Sequence, residues 1–215
     1  MKSYGKATLG LIIAWFVLAL VAAALGAFVN PLQGVGVTVG IAAFVPIVVF
    51  FVWFGASEEF RKFTMSLNPS MLTAVQTGRI LGLVFVVLEA HQALPAVFAL
   101  PAGYGDIAIG ATASLVAWKL ANPEHRDGFI LWQVLGITDL VTAVSLGTTA
   151  GLLAPHGPKM VLLTVLPLSL IPTFLVPLFL IFHIICIAQA RAWKIENSGA
   201  HGRGLPIGSA AMRAS

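Results

Sequence analysis

Five ionisable residues that lie within long apolar runs are the candidates for chemistry in this chain: Arg79, Glu89, His91, Asp139 and His183. If those runs cross a membrane, each charge costs at least about 2.5–3.5 kcal/mol on insertion scales, so it should face a partner or water. Carboxylates and imidazoles at such depth can bind protons, and an arginine can balance a carboxylate. We therefore predict that these five residues form a polar site inside the membrane.

Arg79 and Asp139 are predicted to form a buried ion pair. With helices that begin near Met71 and Phe129, the two charges lie roughly 12 and 15 Å from the same membrane face. Gly82 and Gly136 share their helix faces, and small residues let another helix approach closely. In the alternative interpretation, Arg79 extends to the nearby interface and Asp139 bonds to threonine or backbone. A buried pair can also be purely structural.

Glu89, His91 and Pro95 mark a second feature, which we place near the bilayer midplane. Pro95 cannot donate a hydrogen bond to the carbonyl group of His91, so this turn should kink. A broken helix with a carboxyl and an imidazole group nearby can line a small polar cavity. The alternative is an irregular helix whose polar groups bond to one another.

Two further patterns surround these residues. His91 and His183 could act as the axial ligands of a haem b, since a histidine on each of two helices can hold the iron; otherwise a lone His183 is expected to be hydrogen-bonded. No other cofactor and no metal site is predicted. Asp106, after Gly103 and Gly105, is expected to cap the helix that follows.

Composition defines the elements that must position these residues. The chain of 215 residues is 59% hydrophobic and 9% charged, against about 25% charged in soluble proteins. Continuous apolar runs exclude the alternating strands of a β-barrel. We predict an all-α polytopic membrane bundle of six transmembrane helices, both termini cytoplasmic, in one domain, 1–194, followed by a polar tail, 195–215. The six spans are expected at about 7–29, 36–54, 71–100, 107–121, 129–154 and 160–190.

Two shorter segments allow two interpretations each. The first apolar run follows Lys2 and Lys6, so it is either a retained helix or a secretory signal peptide. The stretch 56–67 is amphipathic and is either a short interfacial helix or a solvated loop. Three prolines, Pro167, Pro172 and Pro177, predict a bent last span.

The basic residues indicate the orientation. If the six spans have cytoplasmic termini, ten basic residues lie on the cytoplasmic side of the membrane: Lys2, Lys6, Arg61, Lys62, Lys119, Arg126, Arg191, Lys194, Arg203 and Arg213. Lys159 falls outside, as the positive-inside rule allows. The net charge of +4 is thus explained by topology, and no nucleic acid partner is expected.

Partners and catalysis are less well defined by the sequence. Gly36, Gly40 and Ala43 form a small-residue face on which a second copy or another membrane subunit could pack. Phosphate-binding glycine loops, zinc-protease motifs and nucleophile elbows are not found in the sequence. The loops are too short for a soluble catalytic domain, so we do not expect an enzyme.

Three sequence stretches carry a family resemblance: Arg79 with Gly82, LPAVFALPAGYGDIAIGATA from Leu94 to Ala113, and WQVLGITDLVTAVSLG from Trp132 to Gly147. Their pattern resembles uncharacterised bacterial integral membrane proteins with six helices. The resemblance implies the bacterial cytoplasmic (inner) membrane and no particular activity.

Three functions follow as hypotheses. The first is handling of protons or a small solute through the polar intramembrane site. The second is a non-catalytic structural or assembly subunit whose buried charges specify helix packing. The third is a haem-binding electron carrier that uses His91 and His183.

Overall fold

Six helices that are long and apolar enough to cross a membrane make up most of the structure, a computed structural model that describes residues 2–30 and 35–193. These spans are Tyr4–Ala24, Val37–Ala56, Pro69–Ala90, Ala96–Lys119, Pro123–Leu153 and Ile171–Ala192. The described residues contain no strand. The predicted all-α bundle of six spans is therefore confirmed. The predicted tail, 195–215, lies outside the described residues.

The helices are numbered in chain order. They are α1 (Lys2–Ala24), α2 (Val37–Ala56), α3 (Glu58–Met65), α4 (Pro69–Ala74), α5 (Leu83–Ala90), α6 (Ala96–Lys119), α7 (Arg126–Leu153) and α8 (Val176–Ala192). A 3₁₀ helix, Val75–Gly82, joins α4 to α5 within the third span. A π-helical turn, Ile171–Leu175, leads into α8.

The predicted break between the third and fourth spans was wrong. The third span ends at Ala90 and α6 begins at Ala96, so 71–100 and 107–121 place the connection too late. Pro95 has an extended backbone that starts α6, and a proline at a helix start loses no hydrogen bond that the helix needs. The expected kink at His91 is thus a full chain reversal, in which Gln92 has a φ of 56°.

The sixth span also begins later than the predicted residue 160. Met160–Thr164 forms a short 3₁₀ helix, and the regular α8 starts only at Val176. Pro167 and Pro172 cannot donate backbone hydrogen bonds, so no continuous ladder can form through this stretch. The predicted bend exists as an irregular segment ahead of the helix.

The amphipathic stretch after α2 forms a helix, α3. Ser57 caps its start by accepting a hydrogen bond from the Phe60 backbone N–H at 3.2 Å. Phe60 is buried and its ring stacks on Trp53 with centroids 4.1 Å apart. Of the two interpretations of 56–67, the helix is therefore confirmed over the loop.

Two hydrophobic clusters divide the bundle along its axis. One, which we call the Phe129 half, contains Phe50, Phe60, Leu72, Ile109, Ala113, Val116, Phe129, Trp132, Ile185, Cys186 and Ala190. The other, the Phe98 half, contains Phe85, Leu94, Phe98, Ala99, Ala102, Ala150, Met160 and Leu163. The residues between these two clusters form the candidate site.

Candidate functional site

Arg79 is the centre of a polar cluster to which four spans contribute. Its Nε donates a hydrogen bond to Asp106 Oδ1 at 2.7 Å, and its Nη2 forms an ion pair with Asp139. Its Nη1 donates to the Gly136 carbonyl oxygen at 3.2 Å and lies 3.3 Å from His183 Nε2. The side chain of Arg79 is 1% exposed, and those of both aspartates are 15% exposed. The predicted ion pair between Arg79 and Asp139 is present, and Asp106 is a second carboxylate partner.

All four ionisable side chains of this cluster lie near the middle of their spans. Arg79 is midway along Pro69–Ala90, Asp106 along Ala96–Lys119, Asp139 along Pro123–Leu153 and His183 along Ile171–Ala192. The prediction that Asp106 caps a helix was wrong, because α6 runs through this position without a break. The charges therefore lie at the depth at which an unbalanced charge is most costly.

The 3₁₀ winding of Val75–Gly82 aligns one face of the third span with the cluster. Residues three apart eclipse in a 3₁₀ helix, and runs beyond three or four residues are uncommon. Gln76, Arg79 and Gly82 have this spacing, and they are the buried residues of the segment. Gln76 Nε2 donates to the Phe179 carbonyl oxygen at 3.2 Å. The 3₁₀ winding thus aligns three groups on one face of the span: the Gln76 amide that bonds to the sixth span, the Arg79 guanidinium and Gly82.

Three glycines make room for the cluster. A Cβ atom on Gly82 would overlap Asp106, one on Gly105 would overlap Asp139, and one on Gly136 would overlap His183. Each of these side chains therefore packs on the bare backbone of a neighbouring span. The interpretation of Gly103 to Asp106 as a turn was wrong: here glycine allows helices to approach closely. The predicted lengths of the third and fourth spans, roughly 30 and 15 residues, differ in opposite directions from the about 20 residues needed to cross a bilayer. This difference was the signal that could have corrected the position of the turn.

A directed chain of hydrogen bonds leads from the cluster into the Phe129 half. His183 is fully buried, and its Nδ1 is 2.5 Å from Gln133 Oε1, which can only accept. Nδ1 therefore carries the proton and Nε2 accepts from Arg79, which assigns a neutral imidazole. Gln133 Nε2 then donates to Thr73 Oγ1 at 3.0 Å. Gln76 and Gln133 were not predicted as site residues, although amide side chains inside apolar runs are a visible signal in the sequence.

Glu89 and His91 lie outside the cluster. Glu89 is half-buried at the end of α5, one residue before the helix stops, so its predicted midplane position was wrong. His91 is exposed, and its Nδ1 lies 2.8 Å from the carbonyl oxygen of Val87 in its own turn. Of the five predicted site residues, the structure brings together Arg79, Asp139 and His183.

The two histidines do not face a common space. Both ring nitrogens of His183 are engaged, by Gln133 and by Arg79. His91 is at the opposite end of the third span from Pro69, beyond the level of the cluster. This geometry gives no support to the haem hypothesis.

Two cavities reach the cluster from the Phe98 half. The larger, of about 320 Å³, lies between the third and sixth spans and includes Arg79, Asp106, Val84, Phe85 and Leu168 among its lining residues. The smaller, of about 120 Å³, lies against the second span. Asp106 lines both cavities and Asp139 lines neither, so Asp106 is the carboxylate of the cluster that faces these two cavities.

Comparison with protein families matches residues 32–191 to a family described as Domain of unknown function (DUF8737). The chain belongs to this family. The matched range includes the five spans that follow the first, except the last residue of the sixth, and every residue of the polar cluster. No curated protein and no solved structure matches the chain significantly. The protein is a multi-pass membrane protein, and an argument about its activity must start from the cluster.

Proposed function

We propose that this protein binds and releases a proton in the middle of the membrane, at the cluster of Arg79, Asp106 and Asp139. One observation carries the proposal. A single guanidinium lies between two carboxylates, so one negative charge stays unbalanced when both aspartates are ionised. His183 is neutral in the assigned hydrogen-bond pattern and does not alter this count. One proton balances the cluster.

A proton suits this site better than a metal ion does. The guanidinium contacts both carboxylates and repels a second cation placed between them. An uncompensated buried charge costs several kcal/mol, whereas a protonated aspartate needs only a hydrogen-bond partner. Uptake of a proton from the 320 Å³ cavity therefore removes the charge with little rearrangement.

Orientation and location belong to this proposal. Five basic residues lie at the ends of helices in the Phe129 half: Arg61, Lys62, Lys119, Arg126 and Arg191. Lys159 lies at the other end of the bundle. Under the positive-inside rule, this supports a cytoplasmic Phe129 half and cytoplasmic termini. The cavities then open toward the outer face of a bacterial cytoplasmic membrane.

A structural role is the competing function, and one observation favours it. The guanidinium of Arg79 is enclosed and bonded to three neighbouring spans, as a group that only fixes helix packing would be. In that case both carboxylates keep the same protonation state under all conditions in which the protein is folded.

Infrared difference spectroscopy of the protein in lipid nanodiscs, titrated with pH, tests the proposal. Wild type should gain the carbonyl band of one protonated carboxyl group. Asp106→Asn and Asp139→Asn should each abolish that band, because either change balances the charge and leaves the remaining aspartate ionised beside Arg79. Glu89→Gln is the matched control and should retain the band.

Two results would count against proton binding. The first is a wild-type spectrum in which no carboxyl group of the cluster titrates. The second is a band that persists in both aspartate variants. Either would favour the structural role. Proton flux into liposomes, measured with a trapped pH dye in the same four proteins, then asks whether the bound proton crosses the membrane.

A further inference from the structure

We propose that the 320 Å³ cavity binds a small lipophilic monocation, which competes with the proton for Asp106. This inference rests on the proposed function, because it assigns a second occupant to the same unbalanced charge. The cavity lies between the third and sixth spans in the Phe98 half, and its wall is apolar except at Arg79 and Asp106.

The two charged residues of the wall differ in what they offer a ligand. Arg79 is 1% exposed and its N–H groups bond to Asp106, Asp139 and Gly136, so an anion would have to displace these partners. Asp106 is 15% exposed. Its Oδ1 accepts from Arg79 Nε, whereas its Oδ2 accepts no hydrogen bond within the described residues. The cavity therefore presents a carboxylate oxygen, and not a guanidinium, to a ligand.

Charge complementarity selects the class of ligand. The cluster lacks one positive charge, so a ligand with a single positive charge completes it, and a neutral or anionic one does not. Phe85 and Phe179 line the same cavity, and aromatic faces attract quaternary ammonium groups. The volume of about 320 Å³ is at the low end of the range of about 300–1,000 Å³ for ligand pockets. These features together favour a small cation with an apolar body.

Competition follows from the neighbours of Asp106. Arg79 faces it from the third span, Asp139 from the fifth, and His183, which is neutral, lies on the sixth. A proton on either aspartate balances the cluster and removes the attraction for a second positive charge. Cation binding should therefore weaken as the pH falls, by up to about tenfold per pH unit once the proton dominates.

Benzyltrimethylammonium and its neutral isostere neopentylbenzene are the probes, since neither one titrates. Their binding to the full chain in nanodiscs is measured by calorimetry against empty nanodiscs. The wild type should bind the cation about tenfold or more tightly than the isostere. Asp106→Asn should reduce the affinity for the cation to that for the isostere and leave the isostere unaffected.

Val84→Phe supplies a second test that does not alter the cluster. Val84 lines the cavity, so a larger ring should abolish binding of both probes. Val141→Phe is the matched control, because Val141 is 53% exposed on the outside of the bundle, and it should bind both probes as the wild type does.

The inference is overturned if the wild type binds the two probes equally or not at all. It is also overturned if Asp106→Asn or Val84→Phe binds the cation as tightly as the wild type. The infrared titration separates this failure from failure of the proposed function. A titrating carboxyl band without cation binding would contradict the cation site and leave the proposed proton binding intact. Cation binding that does not depend on pH, in a protein without the band, would contradict the proposed proton binding and its competition with the cation.

Discussion

The Phe129 half and the Phe98 half each have a hydrophobic cluster, but they differ in how their helices are joined. In the Phe129 half, side chains bond across helices. Gln189 Nε2 of α8 donates to the carbonyl oxygens of Thr64 and Leu67 at 3.0 and 2.8 Å. Arg126 Nε of α7 donates to the Ala190 carbonyl oxygen at 3.0 Å. These bonds fix α8 against α7, against α3 and against the turn that follows α3.

In the Phe98 half, polar side chains bond locally. Thr148, Thr164 and Thr173 each donate to a carbonyl group three or four residues earlier in the chain. The sixth span starts with a π turn, and both cavities lie here. Apolar contacts alone are non-directional. The helices of this half therefore have fewer directional bonds that fix their positions relative to one another. The comparison of the two halves indicates that a proton or a ligand would reach the cluster through the Phe98 half.

Loss of Arg79 has the largest expected effect. Arg79→Met leaves two carboxylates without their shared partner, and removal of one member of a buried pair costs about 3–5 kcal/mol. Denaturant unfolding in mild detergent measures the loss. Lys159→Met, in the Phe98 half and away from the cluster, is the control and should be close to wild type. Equal stability of the two variants would mean that the cluster does not hold the halves together.

Two glycine substitutions compare the cluster with the Phe98 half directly. Gly136→Ala forces a methyl group onto His183, and overpacking of this kind costs about 1–3 kcal/mol. Gly40→Ala meets nothing within 4 Å and should leave the free energy of unfolding unchanged or slightly higher. If Gly136→Ala loses no more stability than Gly40→Ala, the close approach of His183 to Gly136 does not limit the residue at this position.

Two polar substitutions, one in each half, separate the two halves. Gln189→Leu removes the donor that three carbonyl groups share, at a cost of about 1–3 kcal/mol. The buried Ser169 hydroxyl has no hydrogen-bond partner in the described residues, so Ser169→Ala removes an unsatisfied polar group and should be neutral or stabilising. Thermal unfolding of both variants checks this order, and the reverse order would contradict the contrast between the halves.

The fold class could be predicted from the sequence because apolar runs of sufficient length require helices in a bilayer. The break at Ala90 was misplaced because Pro95 and the Gly103–Gly105 pair carry similar local turn signals, and only the predicted span lengths distinguish them. Only the neighbouring spans decide that these glycines pack under Asp139 and Val86.

The site could be predicted in part. Arg79 and Asp139 were paired correctly from their depths, because depth depends only on residue count and helical rise. Asp106 was missed, since it was assigned to a helix start. The alignment of Gln76, Arg79 and Gly82 could not be predicted either, because a helical wheel of 100° per residue spreads these three positions over different directions.

The 3₁₀ segment also changes the length of the third span. A 3₁₀ helix rises about 2.0 Å per residue, against about 1.5 Å in an α-helix. Over Val75–Gly82, the difference amounts to roughly 4 Å. The Pro69–Ala90 helix therefore reaches further across the bilayer than its residue number suggests. Its extra length is at the level of Arg79, so a change of this stretch from 3₁₀ to α-helix would draw the two ends of the span together by roughly 4 Å.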